Sequence, residues 1–543
     1  MSEYLHLIKE LAFFLIALRV VSYIFKYRKR AVGTSERKDV YHDLPGWPLI
    51  GQLPEVILNR RCIIEWGARI TRVYGAGAAL TLPGTRLIQI SRPEWIEYVQ
   101  KTNFSNYVKG NLFQDVMSPV FGQGIFVTDG AAWKATRQTK TRIFNARNFK
   151  TIVTPAMHET LRSFNGFLDL KVREGAIVKM DDVFHRFTLE SFVKMMFGRE
   201  IGALSVLKAE NEADPFVNAF DYVQRQLDIG MVLGAFSTKL AKILARLPKM
   251  KAARQIIDSY AYDLIDARLN AGPQIESPAD LLGLFMQSND EKGFSLSRDE
   301  LKDAAINFII AGSSATSYSS RDTTAQALSW TLFHLIQRPA LVASMRVEIE
   351  GILPEDDALV DYENYKQFIN VLSVFYEGLR LHPSVPKAKT PFYRSLVNLR
   401  FAVDHDKLPD GPIVQPNDYL YWSDWQMARD PSIWGDDCAE FKPSRWIDEA
   451  GKLKQYSQWK FHAFNGGPRI CLGMHLATLE AVAVIVEIVR RYDMAFAPGW
   501  LASVPKIAKI TQESTEETPR YGSSLTLPMA QPMQVILTRR KVS

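Results

Sequence analysis

The sequence predicts a mainly helical fold with a small β region. Three observations carry this expectation. Apolar residues recur at helical spacing through Thr151 to Gly293 and again after Ser297-Arg-Asp-Glu300. Another apolar helical pattern follows Cys471, from Leu472 to about Arg490. Strand character is local: Ala78-Ala-Leu-Thr-Leu, then Pro-Gly-Thr, then Arg86-Leu-Ile-Gln-Ile reads as a short hairpin within about 76–91.

Composition narrows the function classes. With 543 residues, 47% hydrophobic and 23% charged, the chain can bury a large core. Its net charge of +7 is mild, and no stripe of Lys and Arg interleaves with aromatics, which excludes nucleic acid as the expected partner. A membrane surface or an acidic redox partner suits the basic excess better. The three cysteines, Cys62, Cys438 and Cys471, form no Cys-x-x-Cys pair, so a reducing, cytosolic compartment is expected. A Gly-x-Ser-x-Gly elbow, a phosphate-binding Gly-Lys-Ser/Thr loop and a His-Glu-x-x-His motif are all missing.

Taken in order, the chain opens with an apolar run, Leu11 to Phe25, followed by Lys26, Arg28, Lys29 and Arg30. Residues 1–30 are expected to form a membrane anchor, an imperfect span because Arg19 interrupts it and Lys9 and Glu10 precede it. A helix lying on the membrane surface is the alternative. The basic flank should hold the body on the cytosolic side. Residues 31–51 are expected to be a linker that ends in the Pro/Gly-rich hinge Leu44-Pro-Gly-Trp-Pro-Leu-Ile-Gly51.

Phe104 to Phe126 is rich in aromatics and glycine. Trp133 and Arg137, at i and i+4, share a helix face and can reach one partner. Ser297-Arg-Asp-Glu300 is a capping box that starts a long helix. That helix runs to Ala311-Gly312, is interrupted by Ser313 to Ser320, and resumes at Arg321-Asp322-Thr323-Thr324. Eight residues at roughly 100° each turn the downstream face by about 80° beyond whole turns. The Ser/Thr tract is a poor helix former, so it is expected to bulge out and let the halves rejoin. Glu377 and Arg380, at i and i+3, can pair on one helix face.

The richest stretch is Phe464-Asn-Gly-Gly467-Pro-Arg469-Ile-Cys471-Leu-Gly473. Its glycines would let the backbone approach a flat ligand, and Arg469 would meet an anionic group on it. Cys471, at the expected start of the following helix, would be stabilised there as a thiolate, a good axial ligand for haem iron.

This stretch, Phe-x-x-Gly-x-Arg-x-Cys-x-Gly, resembles the cysteine loop of the haem-thiolate monooxygenases, the cytochrome P-450 superfamily. The resemblance implies a cytochrome P-450 fold for residues 52–543 as one catalytic domain, with a long central helix over haem b. It implies that Cys471 ligates the iron. Phe464, Gly467, Arg469 and Gly473 would shape the cofactor loop, with Trp133 and Arg137 reaching a haem propionate. Phe104 to Phe126 would lie over the distal haem face.

By the same resemblance, Asp322 and Thr323 would deliver protons to bound dioxygen. The family keeps Ala-Gly-x-Asp-Thr-Thr contiguous, whereas here Ser313 to Ser320 splits it. A second stretch, about Ala388 to Leu399, is also longer than the family pattern, and both are what retained intronic sequence would leave. Glu377, Arg380 and Arg445 would form a buried structural cluster.

Too few residues follow Gly473 for a flavin domain, so electrons should come from NADPH through a separate flavoprotein reductase, with cytochrome b5 as a further donor. Arg-Asp-Thr-Thr-Ala, Leu-Pro-Asp-Gly and Tyr521-Gly-Ser-Ser-Leu-Thr-Leu-Pro look like fungal alkane and fatty-acid terminal hydroxylases. The expected reaction is hydroxylation of a fatty acid or alkane at or near its end, at the endoplasmic reticulum membrane. Polycyclic aromatic or terpenoid substrates are the alternative. The rival from another class is a haem-binding protein whose oxygenase activity the insert at 313–320 removes.

Overall fold

The computed structural model describes residues 2–60, 62–141, 143–205, 215–236, 238–270, 280–284, 297–312, 323–386, 399–507, 517–522 and 526–540. Helices dominate, as the apolar spacing predicts. The core is built on Thr323–Ile336, Ile369–Leu381 and Met474–Arg491, which pack on one another. Residues 324–335 of the first and 478–489 of the last are buried on every face. A helix apolar all round belongs at the centre of a large protein, where neighbours cover each side.

The β region is larger than the single hairpin read from sequence. β1 (Ala79–Leu82) and β2 (Thr85–Gln89) form that hairpin, with Leu82 opposite Thr85 across Pro83-Gly84. β3 (Tyr107–Val108), β5 (Arg400–Ala402) and β8 (Tyr419–Tyr421) extend it to a sheet of order β1-β2-β8-β5-β3. A second sheet joins β4 (Val178–Lys179), β9 (Tyr492–Phe496) and β10 (Gln534–Arg539); β6 (Asp406–Lys407) pairs with β7 (Ile413–Val414). Most of these strands have two or three residues, too few for an alternating pattern to register.

The N-terminal expectation needs correcting. Ser2–Lys26 is one helix, but no described helix is long and apolar enough to cross a membrane. Lys9, Glu10 and Arg19 lie within its length, and an unpaired charge is costly in hydrocarbon. The Pro/Gly-rich stretch forms a tight turn against the body. Trp47 and Gly51 exchange backbone hydrogen bonds at 2.9 and 2.8 Å, and the turn packs on β1. A Cβ on Gly51, whose φ is +58°, would lie 2.0 Å from the Thr81 carbonyl oxygen.

The capping box forms as read: the Ser297 N–H donates to Glu300 Oε2 at 2.8 Å, and the Glu300 N–H to Ser297 Oγ at 3.2 Å. The helix it starts is described over Arg298–Gly312, and a further helix over Thr323–Ile336. Ser313 to Ser320 and Asp322 lie outside the described residues, as does all of the second long stretch except Leu399, which is buried.

Candidate active site

The cysteine loop closes on itself. The Cys471 N–H donates to the Phe464 carbonyl at 2.8 Å, and Gly467–Arg469 makes one turn of 3₁₀ helix. The following helix starts at Met474 with Gly473 as its N-cap, two residues later than expected. Leu472 and Gly473 are spent in turning the chain, so Cys471 stands just outside the helix N-terminus. Its side chain is exposed, and none of the three cysteines forms a disulfide.

The glycines before it serve protein packing. A Cβ on Gly466 would lie 2.4 Å from the Trp459 ring. One on Gly467, whose φ is +60°, would lie 2.9 Å from the Gln100 carbonyl oxygen.

A buried relay holds the loop from outside the motif. His462 Nδ1 lies 3.0 Å from Asp424 Oδ1 and 3.3 Å from Trp422 Nε1. Its Nε2 lies 2.9 Å from Gln100 Oε1, and Gln100 Nε2 donates to Asn465 Oδ1 at 2.8 Å. Asn465, left-handed at φ +66°, donates through Nδ2 to the Arg469 carbonyl at 3.0 Å.

Trp133 and Arg137 sit on the helix Gly130–Thr141 and both face this loop. Arg137 Nη2 donates to the Ile470 carbonyl at 2.6 Å, one residue from Cys471. The Arg469 guanidinium lies 4.5 Å from the Trp133 ring centre and 5.6 Å from that of Phe104. It donates to Asp129 Oδ1 at 2.7 Å and to the Thr128 carbonyl at 3.1 Å.

Two cations that the sequence reading did not single out join them. Lys109 is buried and reaches the Phe126 carbonyl. Arg400, on β5, is buried and donates to the Leu399 carbonyl at 3.1 Å. Burial pushes Arg469 down to about 10, Arg400 down to about 9 and Lys109 well below the ordinary lysine range; Arg137 adds to the first, Arg469 to the second, and Arg469 and Arg400 to the third. Asp129 is the carboxylate that opposes all three.

Glu377 organises the other side of the loop. Arg380 grips both its oxygens at 2.8 Å; Arg445 Nε and Trp446 Nε1 each donate to it at 2.9 Å. Burial alone would raise its carboxyl, but these partners hold it below the ordinary range. Arg380 also donates to the Cys438 carbonyl at 2.7 Å, which ties the helix Ile369–Leu381 to the segment leading into the cysteine loop. Thr323 opens the helix Thr323–Ile336, and its carbonyl accepts from Ser384 Oγ at 2.7 Å.

The residues present fit haem. Three buried cations facing one carboxylate leave positive charge that the two haem carboxylates would balance, next to an exposed thiol on a rigid loop. Asp129, Lys109, Arg400 and Gln100 escaped the sequence reading because each is remote in sequence from the cysteine loop it serves, and His462 because it stands two residues before the motif begins. Asn465 carried a signal, a residue that tolerates the left-handed region placed before two glycines.

The comparisons with known proteins agree with this geometry. The family model described as Cytochrome P450 matches residues 42–506. A relative from Mycosarcoma maydis, "Cytochrome P450 monooxygenase cyp1", is 38% identical over 96% of this chain and 79% of its own length. "Alkane hydroxylase MAH1" of Arabidopsis thaliana is 26% identical over 84% of this chain and 88% of its own. Among solved structures, "Crystal structure of a Cytochrome P450 (CYP102L1)" superposes with a TM-score of 0.66 at 20% identity, covering 87% of this chain and 93% of that one.

Proposed function

This chain belongs to the cytochrome P450 family and is a monooxygenase of it, and from that premise we propose hydroxylation of a fatty acid or alkane at or near the chain end. The observation that carries the substrate class is likeness along most of the chain to a protein named as an alkane hydroxylase. The aromatic segment from Phe104 to Phe126 supports it, since an apolar, aromatic lining suits a long aliphatic chain.

When bound, haem would supply the iron at which dioxygen is activated, and the Cys471 thiolate would hold that iron. Arg469, Arg137, Lys109 and Arg400 would hold its carboxylates, and the Trp133 ring would keep Arg469 aimed. Phe464, Gly467 and Gly473 shape the loop that fixes the Cys471 sulfur. Asp322 and Thr323 would hold and pass protons during turnover, Thr323 from the helix described over Thr323–Ile336. Glu377, Arg380 and Arg445 keep the loop rigid.

Electrons would come from NADPH through a separate flavoprotein reductase, with cytochrome b5 as a second donor. The helix Ser2–Lys26, whose apolar side chains are exposed from Leu11 to Phe25, would attach the body to the cytosolic face of the endoplasmic reticulum membrane as a surface helix.

The test is turnover of palmitate, hexadecane and pyrene by the full-length protein with a reductase and NADPH, against a variant lacking Ser313 to Ser320. Terminal hydroxylation of the aliphatic probes supports the reading. Oxidation of pyrene alone overturns the substrate class. Activity confined to the shortened variant would show that the insert displaces Thr323.

A further inference from the structure

The loop Gly122–Asp129 is pinned at both ends. At its far end Arg469 binds the Thr128 carbonyl and Asp129, and Lys109 binds the Phe126 carbonyl, so that end moves with the cysteine loop. Its near end is fastened to the helix Arg298–Gly312. The Gln123 N–H donates to Asp303 Oδ2 at 3.1 Å, and Asn307 Nδ2 donates to the Phe121 carbonyl at 2.8 Å.

The fit admits no side chain on the loop. A Cβ on Gly122, whose φ is +56°, would lie 1.8 Å from Asp303 Oδ2, and one on Gly124 would lie 2.1 Å from Asn307 Oδ1. Asn307 is 1% exposed, and its Oδ1 has no hydrogen-bond partner among the described residues. Burying an unsatisfied acceptor is costly. Here the same side chain supplies the donor that closes the loop.

We propose that Asp303 and Asn307 latch the loop Gly122–Asp129 against the distal helix, and thereby control how an apolar substrate enters and is oriented in front of Cys471. The inference rests on the family reading of this loop as the wall of the substrate cavity. Asp303 and Asn307 are positioning residues: they touch the loop, and any effect on substrate passes through it. Released from the helix, the loop would remain anchored through Arg469 and swing about that end. The cavity would then open without loss of the cysteine loop.

The test uses the full-length holoprotein and the variants Asn307→Leu, Asp303→Ala and Gly124→Ala, with Gly124→Ala/Asn307→Ala as the double variant. Hydrogen exchange of the amides in 121–126 reads the latch directly. Binding of 4-phenylimidazole, palmitate and pyrene, and the spread of hydroxylation positions, read its consequence. Each single variant is expected to keep the thiolate-type spectrum of the reduced carbon monoxide adduct and to exchange these amides faster. Each should also weaken all three ligands by about fivefold, the scale of one or two lost hydrogen bonds.

The double variant has room for the new methyl group. It should regain the thermal stability lost by Gly124→Ala yet keep the fast exchange. Unchanged exchange and affinity in a folded, haem-loaded Asn307→Leu protein would overturn the latch. If the unaltered protein oxidises neither palmitate nor pyrene, the substrate reading fails, while exchange and 4-phenylimidazole binding still decide the latch.

Discussion

Arg445 Nε donates to Glu377 Oε1 at 2.9 Å, a buried contact between residues 68 positions apart. Because Arg380 and Trp446 share the same carboxylate, its charge balances two guanidinium groups at once. Glu377→Gln keeps the shape and removes the charge, leaving Arg380 without this carboxylate and Arg445 with Asp437 alone. The expected cost is about 3–5 kcal/mol. Urea unfolding measures it, and a loss under 1 kcal/mol would contradict the role of the cluster.

Arg400 should show opposite effects in the two states of the protein. Without haem its charge is buried beside Lys109 and Arg469, so Arg400→Leu should raise the melting temperature of the apoprotein. With haem the same change should speed haem transfer to apomyoglobin by about tenfold, since a charge-assisted hydrogen bond is lost. Slower transfer would remove Arg400 from the cofactor site.

His334 and His382 predict an acid limit to stability. Their Nε2 atoms lie 3.1 Å apart, with the His382 ring stacked on Trp330 and the His334 ring on Phe441. Burial, reinforced by Arg338, Arg429 and Arg380 and opposed at His334 by Glu377, pushes both well below the ordinary histidine range. Both rings are therefore neutral in the folded protein. Their contribution is fully present above the unfolded value of about 6.5 and is lost as pH falls below it towards the folded values. Thermal unfolding between pH 8 and 5 should steepen below that point. His334→Gln, which keeps a partner for His382, should flatten the slope.

Glu65 predicts the reverse dependence. It is fully buried, and Tyr521 donates to its Oε2. Burial raises its carboxyl above the ordinary range, against the lowering effect of the Tyr521 hydrogen bond and of Arg520 and Arg429. A raised acid contributes stability below its unfolded value and loses it as pH climbs towards the folded one. Glu65→Gln still accepts from Tyr521 and carries no charge, so it should melt higher than the parent at pH 8 and equal to it at pH 4. An equal melting temperature at pH 8 would show that the carboxyl ionises in place without penalty.

Much of the active region was legible because it is local. The motif residues from Phe464 to Gly473, the Trp133-to-Arg137 spacing and the Ser297-to-Glu300 box each act within a few turns of chain, and each takes the local form that its spacing dictates. The start of the last helix was misjudged by two residues because Leu472 and Gly473 are needed to turn the chain, a demand set by the loop's closure on Phe464. The short strands went unread because β3, β4 and β5 exist only where a partner strand supplies the hydrogen bonds.

By itself, the sequence determined a helical protein with one cysteine loop, through periodicity and spacing that a linear chain carries in full. Its resemblance to a known family implied which motif residues would hold a haem. Only the tertiary structure decided that Lys109 and Arg400 stand beside Arg469, that Gln100 and His462 hold Asn465, and that Asp303 and Asn307 clasp Gly122 and Gly124. These groups are from 69 to 365 residues from the partners they meet, apart from His462 beside its own loop. Burial creates their energetic weight. A lysine or an asparagine in the chain has nothing to mark it until packing removes its water and leaves it one neighbour to bind.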